Sequence, residues 1–112
     1  MKIVIAVIKP FKLDEVKEGL TSIGIQGLTM GEVSGFGRQG GHTETYRGAE
    51  YTIDLVPKVR LDILIDDAQV ADVIEAIVGT ARTGSIGDGK VWVSTAEDVV
   101  RIRTGERGQD AL

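Results

Sequence analysis

The chain has 112 residues, a formal net charge of −4 and no cysteine, with 42% hydrophobic and 27% charged residues. This length fits one domain. The acidic balance excludes broad binding to nucleic acids or anionic membranes, because both require a basic surface. The missing cysteines exclude disulfides and thiolate chemistry. No apolar run approaches the roughly 18 residues of a membrane span, and the first residues enter a strand pattern at once. We therefore expect a cytoplasmic protein without a signal peptide.

The first third of the chain predicts a strand, a helix and a weaker strand. Residues 3–8 are apolar on both faces, which is typical of a central strand covered from two sides. Pro10 ends this strand. Apolar residues then recur at helical spacing from Leu13 to Ile23, and Gly24 stops the helix. Residues 28–36 form the weaker strand, which contains several glycines.

The second half repeats the strand and helix pattern. Apolar residues alternate from Val59 to Ile65, which predicts a strand. Asp66 or Asp67 caps a helix whose apolar stripe runs from Val70 to Ala81. Two short strands close the chain, at residues 91–94 and 99–103. The order predicts an α+β, ferredoxin-like βαββαβ fold with an antiparallel sheet and both helices on one face.

Such a sheet leaves its second face bare in a monomer. Because the first strand is apolar on both faces, we expect the bare face to meet another subunit in a closed cyclic oligomer. The alternative is a loop folded across this face, but the longest loop is too polar to cover it well.

The longest connection, residues 37–50, is polar, rich in glycine and without hydrophobic periodicity. Its fourteen residues without predicted structure are unusual in a small domain, and such loops tend to be functional or mobile. Its entry, residues 35–40, formally spells a dinucleotide-binding fingerprint. No helix follows, so we reject that interpretation.

A second glycine-rich stretch, residues 83–93, ends in Lys90 and runs directly into a β-branched, aromatic segment. Glycines let backbone N–H groups turn toward an anion, and a lysine beside them is a compact charge for phosphate. Arg101 and Arg103 stand two residues apart, so on a strand both would point the same way. Together these features predict a nucleotide phosphate site.

This stretch has two other interpretations. Gly87, Asp88 and Gly89 could form only a tight turn. The stretch also nearly fits a P-loop, but Val91 stands where a magnesium-binding serine or threonine belongs, and the loop opens a strand instead of a helix. A P-loop enzyme is therefore excluded.

The chain resembles the nitrogen regulatory P-II family over essentially its whole length. The motifs that carry the resemblance are residues 8–13, 35–39, 42–44, 46–51, 56–58, 83–93 and 101–106. Their order and spacing are highly specific. The resemblance implies one P-II-like domain spanning 1–112, with a long flexible loop at about 37–54. It also implies a homotrimer that senses ATP, ADP and 2-oxoglutarate and regulates other proteins without performing chemistry.

The resemblance also implies functional residues. The nucleotide, in the cleft between subunits, would be bound by Thr29, Gly37, Arg38, Leu64, Gly87, Asp88, Gly89, Lys90, Arg101 and Arg103. The 2-oxoglutarate site would be formed by Gly37, Gln39, Gly41, Lys58 and Gly87. Gln39 would also ligate Mg²⁺ together with the ATP phosphates, and Tyr51 matches the tyrosine that the family nucleotidylylates.

Partners and departures from the family follow from the same resemblance. The expected partners are an ammonium transporter, nitrogen-assimilation enzymes or a nucleotidylyltransferase, with membrane contact only through the transporter. Which target is used, and whether Tyr51 is uridylylated or adenylylated, stay open. Gly40 and Asp62 replace a usual lysine and glutamate that we associate with a salt bridge pinning the loop.

The second functional hypothesis is a small phosphotransfer or ATP-hydrolysing enzyme on the same fold. Ferredoxin-like folds include enzymes that use a phosphorylated histidine, and His42 is the single histidine of the chain. A lone histidine in a glycine-rich loop is more often a solvated side chain. No paired carboxylates and no histidine cluster support a hydrolase.

Overall fold

The computed structural model describes residues 1–37 and 55–112, and the backbone of the strands at 42–46 and 49–53. These residues form a four-stranded antiparallel sheet, two α-helices and a separate two-stranded hairpin. In chain order the elements are β1 (Lys2–Ile8), α1 (Leu13–Ser22), β2 (Thr29–Gly35), β3 (His42–Tyr46), β4 (Ala49–Ile53), β5 (Val56–Ile65), α2 (Val70–Ala81) and β6 (Gly89–Thr95). Short 3₁₀ helices occupy Pro10–Lys12, Asp67–Gln69 and Gly108–Ala111.

The main sheet has the strand order β2-β5-β1-β6, and all three neighbouring pairs are antiparallel. The connections from β1 to β2 and from β5 to β6 each pass over one intervening strand and contain α1 and α2, respectively, as in a split βαβ fold. The predicted ferredoxin-like fold is confirmed. The first strand lies in the interior of the sheet, as its apolar composition predicts.

The core lies between one face of the sheet and the two helices. Alternate residues of β1 and β5 point into it, because successive side chains of a strand point to opposite faces. Each helix contributes a stripe at i, i+3 or i+4 spacing. The fully buried side chains of the core are Val4, Ala6, Ile8, Val16, Leu20, Leu61, Ile63, Ile65, Val73 and Ile77.

Local chemistry explains where α1 ends and where the helical segment leading into α2 begins. Gly24 adopts a φ of 92°, which a residue with a Cβ rarely accepts, and its N–H donates to the Thr21 carbonyl at 3.0 Å. At the start of the second helical segment, the Asp66 N–H donates to Gln69 Oε1 at 3.1 Å. The Asp66 side chain in turn accepts from the Gln69 backbone N–H, which completes a capping box at the 3₁₀ helix that leads into α2. This arrangement confirms the predicted aspartate cap at Asp66.

Two local predictions are wrong. Residues 99–103 do not form a strand. Val100 instead makes an isolated antiparallel bridge to Arg107, and the chain reverses between them through Gly105, whose φ is 74°. The connection predicted to lack structure contains β3 and β4, in which His42 lies opposite Ile53 and Tyr46 opposite Ala49.

The second face of the sheet carries a mixed surface of apolar and charged side chains. One row across it contains Thr29, Asp62, Ile5 and Trp92 in register. Trp92 and Leu64 on this face are 43% and 46% exposed in the single chain. Among the residues described, no helix combines the length and apolar character needed to cross a bilayer.

Candidate functional site

We call residues 83–89 the glycine loop. They lead from α2 into β6 and include its first residue, Gly89. Gly84, Gly87 and Gly89 have φ values of 85°, 93° and 102°. These left-handed conformations strain any residue with a Cβ, so the glycines are required by the shape of the loop. The structure has a turn at residues 86–87, and Gly89 already belongs to β6, so the turn proposed for 87–89 lies one residue earlier and does not include Gly89.

The Asp88 side chain closes the glycine loop on itself. Its Oδ2 accepts hydrogen bonds from the backbone N–H groups of Thr83 at 2.8 Å and Gly84 at 2.9 Å. Its Oδ1 accepts a short hydrogen bond from the Thr83 hydroxyl. The hydrogen bonds from Thr83 hold the pKa of the Asp88 carboxyl far below its ordinary value, so this group is ionised at neutral pH.

Lys9 neutralises this carboxylate from another part of the fold. It follows β1 directly, and its Nζ lies 3.1 Å from Asp88 Oδ1 and 3.1 Å from Thr83 Oγ1. We call the set of Asp88, Thr83, Gly84 and Lys9 the Asp88 clamp. Lys9 has no predicted role, since spacing along the chain does not reveal which strand end meets which loop.

The glycine loop also has backbone donors that the Asp88 side chain does not use. Within the described part of the chain, no acceptor takes a hydrogen bond from the N–H groups of Ile86 or Gly87. Lys90 follows at the start of β6, in register with Val7 and Arg60 on the second face of the sheet. Consecutive backbone donors beside a lysine form a typical concavity for an anion.

Lys58 reaches the same place from β5. It is only 6% exposed, and its ammonium group donates a short hydrogen bond to the Gly87 carbonyl. A buried ammonium normally requires a negative or strongly polar partner, because desolvation of a charge is costly. This requirement makes the space around Lys58 suitable for a carboxylate or phosphate.

These groups line one open cleft of about 740 Å³, which we call the lysine cleft. Its wall includes five of the predicted site residues, Gly37, Lys58, Gly87, Gly89 and Lys90. Four apolar side chains without a predicted role also line it: Val7, Phe36, Ile86 and Trp92. Phe36 and Ile86 are 78% and 70% exposed, which is unusual for large apolar residues and would suit a flat apolar part of a ligand.

Two of the predicted nucleotide-binding residues lie elsewhere. Thr29 and Leu64 line a second cleft of about 570 Å³, together with Asp62, Gln69 and Leu112. Leu64 is six residues from Lys58 along β5, which corresponds to about 20 Å at the rise of a strand. One chain therefore does not bring Thr29 and Leu64 beside the lysine cleft.

Arg101 and Arg103 also lie apart from the lysine cleft. The expectation that they project together from a strand is wrong, because residues 102–104 form a turn. Arg101 is paired with Glu106 at 3.3 Å, and its second terminal nitrogen donates to the Leu112 carbonyl at 3.1 Å. Arg103 is exposed.

Several predicted residues cannot be placed. Arg38, Gln39 and Gly41 lie outside the described residues. For Tyr51 and His42 only the backbone is described, in β4 and β3. In the residues that the structure covers, no group of three histidine, cysteine or acidic side chains could hold a metal ion. The predicted magnesium ligand, Gln39, stays a prediction.

Asp62, one of the two departures noted in the sequence, has a partner within its own strand. The Arg60 guanidinium donates to both Asp62 carboxylate oxygens at 3.2 Å, and this pairing raises the pKa of Arg60 above its ordinary value. The guanidinium also lies 6.0 Å from the centre of the Trp92 ring. Both charged side chains remain partly exposed, as expected for surface charges.

A sequence model of the family "Nitrogen regulatory protein P-II" matches residues 1–106. The chain is 62% identical to the nitrogen regulatory protein P-II of Rhodobacter capsulatus and 61% identical to that of Rhodospirillum rubrum, over 112 residues and the full length of each chain. It is 59% identical to the P-II protein of Rhizobium meliloti, again over the full length of both. With this match and the ferredoxin-like fold, the chain belongs to the nitrogen regulatory protein P-II family.

Proposed function

We propose that this protein is a nitrogen, carbon and energy sensor that binds ATP or ADP together with 2-oxoglutarate and regulates target proteins. The observation that carries the proposal is the convergence of Lys58, Lys90 and the backbone of the glycine loop in one cleft. Those groups supply positive charge and N–H donors at one place, in a protein whose net charge is −4. Such a local concentration of donors is expected where an anion binds.

The phosphates of a nucleotide fit this arrangement. ATP carries about four negative charges, and each hydrogen bond to a charged group contributes roughly 1.5–3 kcal/mol. Lys90 is exposed on the second face of the sheet and can reach a phosphate there. Arg38 would add a further cation, and Arg101 and Arg103 would do so after Arg101 exchanges Glu106 for a phosphate.

A second copy of the chain is needed to complete this site. Within one chain, Leu64 lies six residues from Lys58 along β5, about 20 Å, and Thr29 pairs with Asp62, four residues from Lys58, about 13 Å. The second sheet face carries partly exposed apolar side chains, including Leu64 and Trp92. Burying this face against another subunit would place the nucleotide between two chains, with phosphates against the glycine loop. We propose a homotrimer, the closed arrangement that the resemblance implies.

2-Oxoglutarate would occupy the part of the lysine cleft near Lys58. A dicarboxylate beside a triphosphate is repelled unless a cation lies between them. Mg²⁺ takes oxygen ligands, so it can bind both anions together with Gln39. If the ion is shared, each ligand must increase the affinity for the other by the same factor.

The output would pass through the segment at 37–54, which begins at the rim of the lysine cleft with Gly37. Ligands in the lysine cleft would contact the start of this segment at Gly37 and so change which conformations of the segment are populated. Targets such as an ammonium transporter or a nitrogen-assimilation enzyme would bind the segment in one of these conformations. Tyr51, in β4, would be the position modified by a nucleotidylyltransferase.

A calorimetric titration tests the proposal. 2-Oxoglutarate is added to the protein with Mg-ATP, with ATP and EDTA, and without nucleotide. We expect heat of binding only with Mg-ATP. Binding of 2-oxoglutarate without nucleotide or metal would contradict the shared-ion proposal.

Phosphate release measured in the same samples separates a sensor from the alternative enzyme. A sensor binds ATP stoichiometrically with little hydrolysis. Sustained turnover that disappears in His42→Ala would support the phosphotransfer or hydrolytic enzyme instead.

A further inference from the structure

The glycine loop is held from two sides by lysines that come from two different strands. Lys9, at the end of β1, pairs with the Asp88 side chain, and Lys58, on β5, donates to the carbonyl of the preceding residue, Gly87. Two consecutive loop residues are therefore fixed by two cations. This leaves the stretch between Gly84 and Gly87 supported at both ends.

The side chain of Asp88 is unexpected in such a place. A carboxylate next to a phosphate site would repel the phosphate, so simple electrostatics disfavours an aspartate here. Its oxygens, however, are used by donors within the clamp: two backbone N–H groups, the Thr83 hydroxyl and the Lys9 ammonium. The charge is compensated by Lys9, and none of these four donors is the amide of Ile86 or Gly87.

The loop needs such support. Glycine loses more conformational freedom on ordering than other residues, and residues 84, 87 and 89 are all glycine in left-handed conformations. A loop that is ordered before the ligand arrives does not spend binding free energy on its own ordering. The Asp88 clamp provides this order without using the N–H groups of Ile86 and Gly87.

We propose that Asp88 is a positioning residue, which together with Lys9 holds the glycine loop in the conformation that binds anions. The proposal rests on the proposed function, since the anions are the nucleotide phosphates and 2-oxoglutarate. The Asp88 side chain acts through the backbone of the loop, and only the backbone of this residue is expected to contact the nucleotide. Because the Gly87 carbonyl is the acceptor for Lys58, the clamp supports both ligand sites.

The test compares Asp88→Ala with the wild-type protein in calorimetric titrations of Mg-ATP. Removing a negative charge beside a triphosphate should increase affinity if charge alone matters. The positioning role predicts the opposite sign, a loss of about tenfold or more, because four hydrogen bonds to the carboxylate disappear. Unchanged or tighter binding of Mg-ATP by Asp88→Ala would overturn the proposal.

Asp88→Asn and Lys9→Met separate the parts of the clamp. The asparagine can still accept the two backbone N–H groups, but it cannot pair with Lys9. We expect an intermediate loss of affinity in Asp88→Asn and little additional loss when Lys9→Met is combined with it, since the two side chains act as one unit. Fully additive losses would contradict a shared action.

Glu18→Ala and Lys17→Met serve as matched controls, because both remove an exposed charge from α1 far from the loop. They should leave Mg-ATP affinity within about twofold of the wild type. The midpoint of urea unfolding and the mass of the oligomer are measured for every variant. A loss of affinity with both properties unchanged identifies positioning, whereas equal losses of affinity and of assembly would indicate a purely structural role and overturn the proposal.

Amide hydrogen exchange provides a readout that does not require ATP. The Thr83 and Gly84 amides donate to Asp88, so they should be protected in the wild type and exchange faster in Asp88→Ala. If the wild type binds no ATP, the proposed function fails, and exchange alone then decides whether the clamp orders the loop. Identical exchange in the two proteins would show that it does not.

Discussion

Gly89 faces the carbonyl oxygen of Val7 so closely that a Cβ on Gly89 would lie far inside van der Waals contact with that oxygen. The clash is with the backbone at the end of β1, where it pairs with the start of β6, so no side-chain movement relieves it. Gly89 also has a φ of 102°. Two independent constraints therefore require glycine at this position.

Gly89→Ala should destabilise the protein by clearly more than the roughly 1–2 kcal/mol expected for a left-handed residue alone. Gly24→Ala is the matched control, because Gly24 has a similar φ of 92° but open space around its α-carbon. Urea unfolding of both variants measures the difference. Equal losses of stability would show that the contact with Val7 relaxes at no cost.

Substitutions of a buried and an exposed isoleucine should differ in their effect on the free energy of unfolding. Ile63 is 0% exposed and Ile102 is 99% exposed. Ile63→Ala leaves a cavity between the sheet and the helices and should lower the free energy of unfolding by about 2–5 kcal/mol. Ile102→Ala should change it by less than about 0.5 kcal/mol. Similar values for the two variants would contradict the placement of the core.

Lys90→Ala should weaken ATP binding by more than about tenfold, since it removes a charge-assisted hydrogen bond to phosphate. Lys90 is exposed, so the variant should unfold at the same urea concentration as the wild type. Isothermal titration calorimetry with Mg-ATP measures the effect. An unchanged isotherm would remove Lys90 from the proposed nucleotide site.

Lys58→Met keeps the volume of a long side chain but removes its charge. At saturating Mg-ATP, its affinity for 2-oxoglutarate should fall by about tenfold or more, because Lys58 is the buried cation of the cleft. Lys17→Met, on the exposed face of α1, should bind 2-oxoglutarate like the wild type. If Lys58→Met still binds 2-oxoglutarate normally, the carboxylate lies elsewhere.

Acid should weaken a contact at the start of the chain. The N-terminal ammonium lies 2.8 Å from Asp67, and its hydrogen bond lowers the pKa of this carboxyl from an ordinary value of 3.8. A lowered folded-state pKa means that the contact stabilises the protein fully above about pH 4 and is lost as pH falls further. The free energies of unfolding of wild type and Asp67→Asn should therefore converge in acid. A difference independent of pH would contradict this assignment.

Hydrophobic periodicity predicted most of the elements. The alternation from Val59 to Ile65 and the stripes of the two helices mark residues that pack together, so the pattern records their burial. Residues 99–103 also alternate, but the chain turns back at Gly105 before a strand can pair with the sheet. Strands β3 and β4 lie in a separate two-stranded sheet, and their polar sequences show no clear alternation between apolar and polar residues.

The candidate site was predictable only where its residues lie close together in the sequence. Glycines 87 and 89 and Lys90 are adjacent in sequence, so their joint presentation is visible without a structure. The contacts of Lys58 with Gly87 and of Lys9 with Asp88 connect positions 29 and 79 residues apart, respectively, and no spacing rule specifies them. Thr83 and Asp88 could have been paired from sequence, since both side chains commonly bond to nearby backbone in turns.

Trp92 is the single tryptophan of the chain, and it lies on the second sheet face in the edge strand β6, 43% exposed and with its ring centre 6.0 Å from the Arg60 guanidinium. Indole emission depends on solvent contact and on nearby charge. The protein therefore contains an intrinsic optical reporter at the surface where copies would meet. Diluting an unlabelled sample and following its ultraviolet emission would reveal dissociation directly.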